Sequence, residues 1–393
     1  MNNDTDSHEV LEILEDLISI PSVNPAYDDR SPGEGPLSDY VERRLRKAGL
    51  QVSRQQVLPG RDNIIAELRT GHAHSTLLFE SHMDTVNAGT MIDPFVPRYK
   101  EGRLYGRGAC DTKATLAGMI YAMEQCARHP ERLQSDLILC ASVDEEHVYK
   151  GLSAFMDLNI PVHGAIVGEP TELGIVVAHK GCVRFALTVL GKAAHSSVPD
   201  EGINAIYQMA RMIDFIEHRE QAYLAGRYHP LCGSPSISVG TIKGGQQINI
   251  VPDRCVIEID RRIIPGEDAA EEFIILSDKL RKEADRLGIR IEIEPYLLDP
   301  SLNTSLASSL VQWSGKVASQ LGLSNQVRGV PYGSDASKLQ HYQGIPSIVF
   351  GPGSIKQAHA TEEWVPVDEV VQAANFYLKM AQQFTTEQDN GGN

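Results

Sequence analysis

The sequence predicts an α/β protein, a mostly parallel sheet flanked by helices, interrupted by an inserted α+β domain. Three observations carry this. Apolar runs of strand length alternate with helical patterns up to residue 178 and again after Pro295. Between them the pattern changes to strands separated by two long amphipathic helices. A chain of 393 residues exceeds one ordinary core, so more than one domain is expected. The predicted division is 1–178 and 295–393 for the main domain and 179–294 for the insertion.

Each element has its own warrant. His8–Ser19 carries Val10, Leu11, Ile13, Leu14, Leu17 and Ile18 at helical spacing, with Asp6 and Glu9 as a capping box and Pro21 as the stop. Residues 21–36 are rich in Pro, Gly and Asp and read as a long loop. A second helix runs from about Leu37 to Ala48 and stops at Gly49. Strands follow at Asn63–Leu68, Thr76–Glu80, Asp136–Ser142 and Gly164–Val167. An apolar helix at Lys113–Ala127 and another near Leu152–Leu158 lie between them. Within the insertion, Val183–Leu190, Ser236–Ile242, Cys255–Ile259 and Arg290–Glu294 read as strands, and Ile203–His218 and Asp268–Leu287 as helices. A helix at Ser305–Leu321, a strand at Ser347–Phe350 and a helix at Val367–Gln382 complete the fold, and the tail Thr385–Asn393 has the composition of a disordered segment.

Composition narrows the function classes. Fifty-two acidic residues against 36 basic ones give a formal charge of −16, which argues against nucleic acid or an anionic membrane as partner. The N-terminus is polar and acidic, unlike a signal peptide, and no apolar run reaches the roughly 18 residues of a membrane span. A cytoplasmic location is therefore expected. The six cysteines form no C-x-x-C pair and are expected to be reduced and buried, although Cys110 beside Asp111 is a conceivable ligand. Nucleophile-elbow and phosphate-loop motifs are absent, and Tyr105-Gly106-Arg107-Gly108 continues wrongly for a dinucleotide fingerprint.

The residues that suggest chemistry are ionisable and sit at predicted strand ends or in the loops that follow: His82, Asp111, Glu146, Glu169 and His359, with Glu145 beside one of them. In open α/β sheets, ligands bind beyond the carboxyl ends of the strands. Two imidazoles and three carboxylates can hold two divalent cations, and a spare glutamate can move a proton. Asp84, two residues from His82, can orient the imidazole. Singly, each has a plainer explanation. His82 can be a strand-end histidine, Asp111 a helix N-cap, and Glu145–Glu146 a solvated acidic turn. Together they predict a two-metal hydrolase. Nitrogen and oxygen ligands without thiolate favour zinc, cobalt or manganese.

The segments SHMDTV, YGRGACDTK, VDEE, GEPT, KAAHSSVPDEGINAI, INIVPD, DRR, YGSDAS and GPG…AH occur in one order from about Val10 to Phe376. In these the chain resembles the zinc-dependent deacylase and exopeptidase family of acetylornithine deacetylase, succinyl-diaminopimelate desuccinylase, glutamate carboxypeptidase and aminoacylase. The resemblance implies a di-zinc exopeptidase-type fold whose insertion is a lid and dimerisation domain. It implies two metal ions, Zn2+ first and Co2+ or Mn2+ otherwise. One would be held by His82, Asp111 and Glu169, the other by Asp111, Glu146 and His359, with a cis peptide bond between Asp111 and Thr112. Glu145 would be general base and then acid, and Asp84 would support His82. His195 would act in the partner subunit of a homodimer, and Asn249 and Arg262 would bind substrate. The residues themselves leave His195 as a turn cap, Asn249 as a backbone partner, and the register between Arg261 and Arg262 open.

By the same resemblance, deacylases and carboxypeptidases carry glutamate at position 169 and several aminopeptidase and dipeptidase relatives carry aspartate, which favours a small N-acyl amino acid as substrate, with an acetyl or succinyl group removed; a short peptide is the other substrate expected. YGSDAS departs from the Cys-Thr-Glu pattern of acetylornithine deacetylase proper, so the acyl group and amino acid stay open. A metallo-carboxypeptidase or dipeptidase is the alternative, and a catalytically silent binding protein a third reading.

Overall fold

The structure, a computed structural model, describes residues 3–386, with side chains from His8 onward. The tail predicted to be disordered lies mostly outside the described residues. The chain forms two compact units. One comprises Met1–Val177, Thr304–Arg328 and Ser334–Asn393, the other Ala178–Asn303 with Gly329–Gly333.

The first unit is built on a twisted sheet in the order Gln51–Leu58, Arg61–Leu68, Asp136–Ser142, Thr76–His82, Gly164–Val167, Ser347–Val349, Ile175–His179. Its centre is parallel, from Asp136–Ser142 to Ser347–Val349, and its flanks are antiparallel. Thr76–His82 and Gly164–Val167 are buried at every position, as expected of strands covered on both faces. Helix Lys113–Arg128 is apolar on nearly all sides and buried accordingly, packed against Asn3–Ser19 and Val367–Gln383. The core joins Leu14, Leu17, Phe79, Ile120, Leu139, Phe350 and Phe376.

Two local readings are corrected. The first helix starts at Asn3, so Asp6 lies within it rather than at its cap; the Asp6 side chain is outside the described residues. Gln51–Leu58, not anticipated as a strand, pairs with Arg61–Leu68 through a Pro59–Gly60 turn.

The second unit is a four-stranded antiparallel sheet, in the order Ser236–Gly244, Arg254–Ile263, Gly181–Leu190, Arg290–Asp299, with helices Ala205–Phe215 and Ala269–Leu287 over one face. Asn204 and Asp268 cap those helices, each accepting from two backbone amides. Pro295, expected to end the last strand, lies inside it. That strand is at the sheet edge and bulges between Pro295 and Leu297, the setting in which a strand tolerates proline. All six cysteines are free and buried. Among the described residues no helix is long and apolar enough to cross a membrane.

Candidate metal centre

Strand register brings the ionisable residues of the first unit to one edge. His82 is the last residue of its strand and pairs with Ser142, so the turn after Ser142 starts beside it. Glu80 pairs with Val167, which puts Glu169 at the same edge. Asp111 precedes helix Lys113–Arg128, and His359 follows Ser347–Val349 in a left-handed conformation. The turn ahead of Asp111 needs Gly108, at φ 80°, because a Cβ there would fall 2.8 Å from Thr85 Cγ2.

The Asp111 carboxylate lies between two imidazoles. Its Oδ1 is 3.2 Å from His82 Nε2 and its Oδ2 is 3.3 Å from His359 Nε2. His82 Nε2 is also 3.9 Å from Glu169 Oε1 and 4.0 Å from Glu145 Oε2, while His359 Nε2 is 3.1 Å from Glu146 Oε2. Donor atoms of His82, Glu145 and Glu169 lie within 4.8 Å of one another, as do those of His82, Asp111 and Glu146. Asp111 is not a helix cap: Thr112 holds that position, and the Asp111–Thr112 peptide is cis. Glu145 and Glu146 do not form a solvated turn, since both carboxylates are largely enclosed. Cys110 is buried with its thiol toward Ser354 O, and no candidate metal cluster among the described residues includes it.

Asp84 supports this arrangement in a way its spacing did not reveal. His82 Nδ1 lies 3.0 Å from the Asp84 carbonyl oxygen and 3.6 Å from the carboxylate, so the nearer acceptor is the backbone. The carboxylate accepts from the amides of Glu145 and Glu146, each at 3.1 Å, and from Asn24 Nδ2 at 2.8 Å. It therefore aims the acidic turn as well as the imidazole. Asn24 comes from the loop before the second helix. It also donates to Asp144 Oδ1, which Arg61 holds in turn at 3.0 Å. The sequence marked a long loop there but did not single out Asn24.

The electrostatics suit a cation. Five carboxylates (Asp84, Asp111, Glu145, Glu146, Glu169) and two imidazoles share one mostly buried cluster. With all five carboxylates ionised and both imidazoles neutral, as cation binding requires, its charge would be −5, an excess that two divalent ions would reduce to −1. Burial pushes Glu145 up to about 8, opposed by His82 and reinforced by Glu146. Burial, with Asp111 alongside, pushes Glu146 up to about 7, and the same pair of causes raises Glu169. Burial opposes ionisation of Asp111 too, but hydrogen bonds from His359 and His82 outweigh it and hold the acid below the usual range. Hydrogen bonds to Asp111 and Glu146 raise His359 to about 10. The donor set is oxygen and imidazole nitrogen throughout, which fits zinc, cobalt or manganese.

A family model for peptidase family M20/M25/M40 matches residues 78–383. The chain belongs to this family. Members hydrolyse amide bonds in a metal-dependent reaction, and so does this M20 hydrolase. It is 31% identical over 391 residues to the acetylornithine deacetylase of Pasteurella multocida, covering 96% of this chain and 98% of that one. It is 31% identical over 347 residues to the acetylornithine deacetylase of Myxococcus xanthus, covering 86% and 88%. Its fold matches an M20 family metallo-carboxypeptidase from Sulfolobus solfataricus with a TM-score of 0.78, at 20% identity over 96% and 99% of the two chains.

His195, Asn249 and Arg262 lie in the second unit of the M20 chain. His195 is exposed, its Nδ1 2.7 Å from Ser197 Oγ. Exposed Asn249 accepts from Ser196 N through its backbone oxygen. Arg262 is partly exposed, with Asp260 on its Nε and Nη2 at 2.7 and 3.2 Å. Arg261 points the opposite way and is buried between Glu267 and Glu272, at 3.0 and 3.1 Å, so the accessible guanidinium is that of Arg262.

Proposed function

We propose that this M20 hydrolase removes an N-acyl group, acetyl or succinyl, from an amino acid, using two divalent ions, Zn2+ first and Co2+ or Mn2+ otherwise. The observation that carries the reading is the Asp111 carboxylate, with one oxygen toward His82 and the other toward His359. A carboxylate so placed can serve two cations at once. His82, Asp111 and Glu169 would hold one, and Asp111, Glu146 and His359 the other. Once bound, the ions supply Lewis acidity and lower the pKa of water.

The chain's own residues do the rest. Glu145 stands beside His82 without being needed as a ligand, and burial keeps its affinity for a proton high. It takes a proton from the water that adds to the amide carbonyl, holds it, and delivers it to the nitrogen as the C–N bond breaks. The products are the free acyl acid and the amine. Arg262 presents its Nη1–Nη2 edge to the substrate carboxylate, because Asp260 occupies the Nε side. Asn249 and His195 contribute hydrogen bonds to substrate, His195 across a homodimer formed by the second unit as lid. The exposed edge strand Ser236–Gly244, with Ile242 on it and Tyr207 and Ile248 also exposed in the same unit, supports such an interface. A monomeric mass in solution would remove the trans role of His195.

A carboxypeptidase or dipeptidase activity is the second reading, favoured by the metallo-carboxypeptidase likeness. The deciding experiment is turnover of N-acetyl amino acids, N-succinyl amino acids and dipeptides by chelator-stripped protein reloaded with Zn2+ or Co2+. Deacylation should exceed dipeptide cleavage. The reverse order would overturn the deacylase assignment, and no amidase turnover in any arm would overturn the family-level role proposed for Glu145.

A further inference from the structure

One buried carboxylate in the first unit has no role in the chemistry above and yet touches both segments that carry ligands. Glu363 is 1% exposed and lies four residues past His359. Its Oε1 accepts from the amides of Cys110 at 2.8 Å and Asp111 at 2.9 Å. Its Oε2 accepts from the amide of Gly108 at 2.9 Å and from Arg107 Nη1 at 2.6 Å. The Glu363 carbonyl takes the amide of Gly106 at 3.2 Å. Arg107 returns from the same turn, donating through Nη2 to the carbonyl of Ala360, the residue after His359, at 3.2 Å.

The geometry is that of an anion in a cradle of backbone amides. The segment 106–111 runs into helix Lys113–Arg128, where amides lack partners from the helix itself and would be costly to bury alone. Only a carboxylate offers acceptor positions to all four donors. An amide of the same shape would turn its NH2 against at least one backbone N–H or the guanidinium. Shifting Glu363 therefore moves the Asp111 turn, and through Arg107 the turn that holds His359. These are two of the three residues assigned to one cation.

We propose that Glu363 is a positioning residue for the metal centre. Its carboxylate fixes the Asp111 and His359 segments relative to each other, and so sets the affinity for the ion those two residues share. This rests on the two-ion reading of the site. It does not require Glu363 to touch metal or substrate: its carboxylate accepts from three backbone amides and from Arg107, not from a side chain of the centre.

The test is Co2+ titration of the chelator-stripped full chain, followed by calorimetry and by visible absorption. Wild type should take two ions. Glu363→Gln should bind one of them roughly 10- to 100-fold more weakly, the usual cost of losing a residue that orients ligands, and the absorption of that ion should change. Two ions bound by the variant with wild-type affinity and an unchanged spectrum would overturn the proposal, even if its melting temperature fell. A wild type that takes a single ion would instead overturn the two-ion reading, and this inference with it. A second measurement needs no variant. Hydrogen exchange of metal-free wild type should show the amides of Gly108, Cys110 and Asp111 protected, and exchange there as fast as in an unstructured peptide would also overturn the proposal.

Discussion

Glu145→Gln separates proton transfer from metal binding. The Glu145 amide is held by Asp84 Oδ1 at 3.1 Å, and the side chain is packed into the buried cluster beside His82. Glutamine keeps the shape and the backbone bond but cannot take a proton. Removing a positioned general base costs roughly 100- to 10,000-fold in rate, or about 3–5 kcal/mol of barrier. The loss should fall on kcat, with KM changed by less than about threefold, because Glu145 is assigned no contact to the bound substrate. Metal content by atomic emission should stay at the wild-type value. Two results would refute this. Turnover above about a tenth of wild type would show that the proton goes elsewhere. Loss of metal in step with activity would make Glu145 a ligand, a role its position near both His82 and Glu169 would permit.

Two other predictions address charge and recognition. Chelator-stripped protein should lose thermal stability as pH rises from about 5.5 to 8.5. Folded Glu145 and Glu146 keep their protons up to about 8 and 7, against 4.5 for the ordinary side chain, so in this window the folded chain binds more protons than the unfolded one. His359, raised from 6.5 to about 10, acts with the same sign: its stabilisation is full below 6.5 and is lost as pH rises toward 10. Asp111 has the opposite sign, but its window lies on the acid side of 3.8, and buried Lys113, lowered from 10.5 to about 7, opposes the trend above pH 7 as one group against Glu145 and His359. Added Co2+ should therefore widen the gap in melting temperature between loaded and stripped protein as pH rises, and a gap that narrows toward pH 8.5 would contradict this electrostatic account. In the second unit, Arg262→Ala should raise KM for carboxylate-bearing substrates by about 10- to 100-fold, the worth of a hydrogen bond to a charged group. Arg261→Met should instead lower the melting temperature by breaking a buried ion-pair cluster, a cost of about 3–5 kcal/mol, and leave KM alone. The opposite pattern in kinetics would reverse the two arginines.

What could be read from the sequence follows from what side chains advertise. An ionisable residue at or just past the end of a mostly apolar strand, such as His82 after Leu77–Phe79 or Glu169 after Gly164–Gly168, is out of place unless something at the sheet edge needs it, so both stood out. Gln51–Leu58 did not stand out, because an edge strand with one solvated face can carry Ser, Arg and three Gln without an apolar signal. Alternation along Arg254–Ile263 says that Arg261 and Arg262 face opposite sides, but not which faces inward. That depends on Glu267 and Glu272, which the fold brings to Arg261. The least legible residues were those whose partners are backbone amides. Asp84 was read from its spacing as an acceptor for the His82 ring, yet its carboxylate is spent mostly on the amides of Glu145 and Glu146 and on Asn24. Glu363 was not singled out at all, yet it gathers three amides of the Asp111 turn. Every residue but proline carries the same N–H, so a carboxylate that organises backbone has no partner a sequence can name. Residues with the chemistry of ligands are therefore visible before the structure, and the groups that hold them in place only after it.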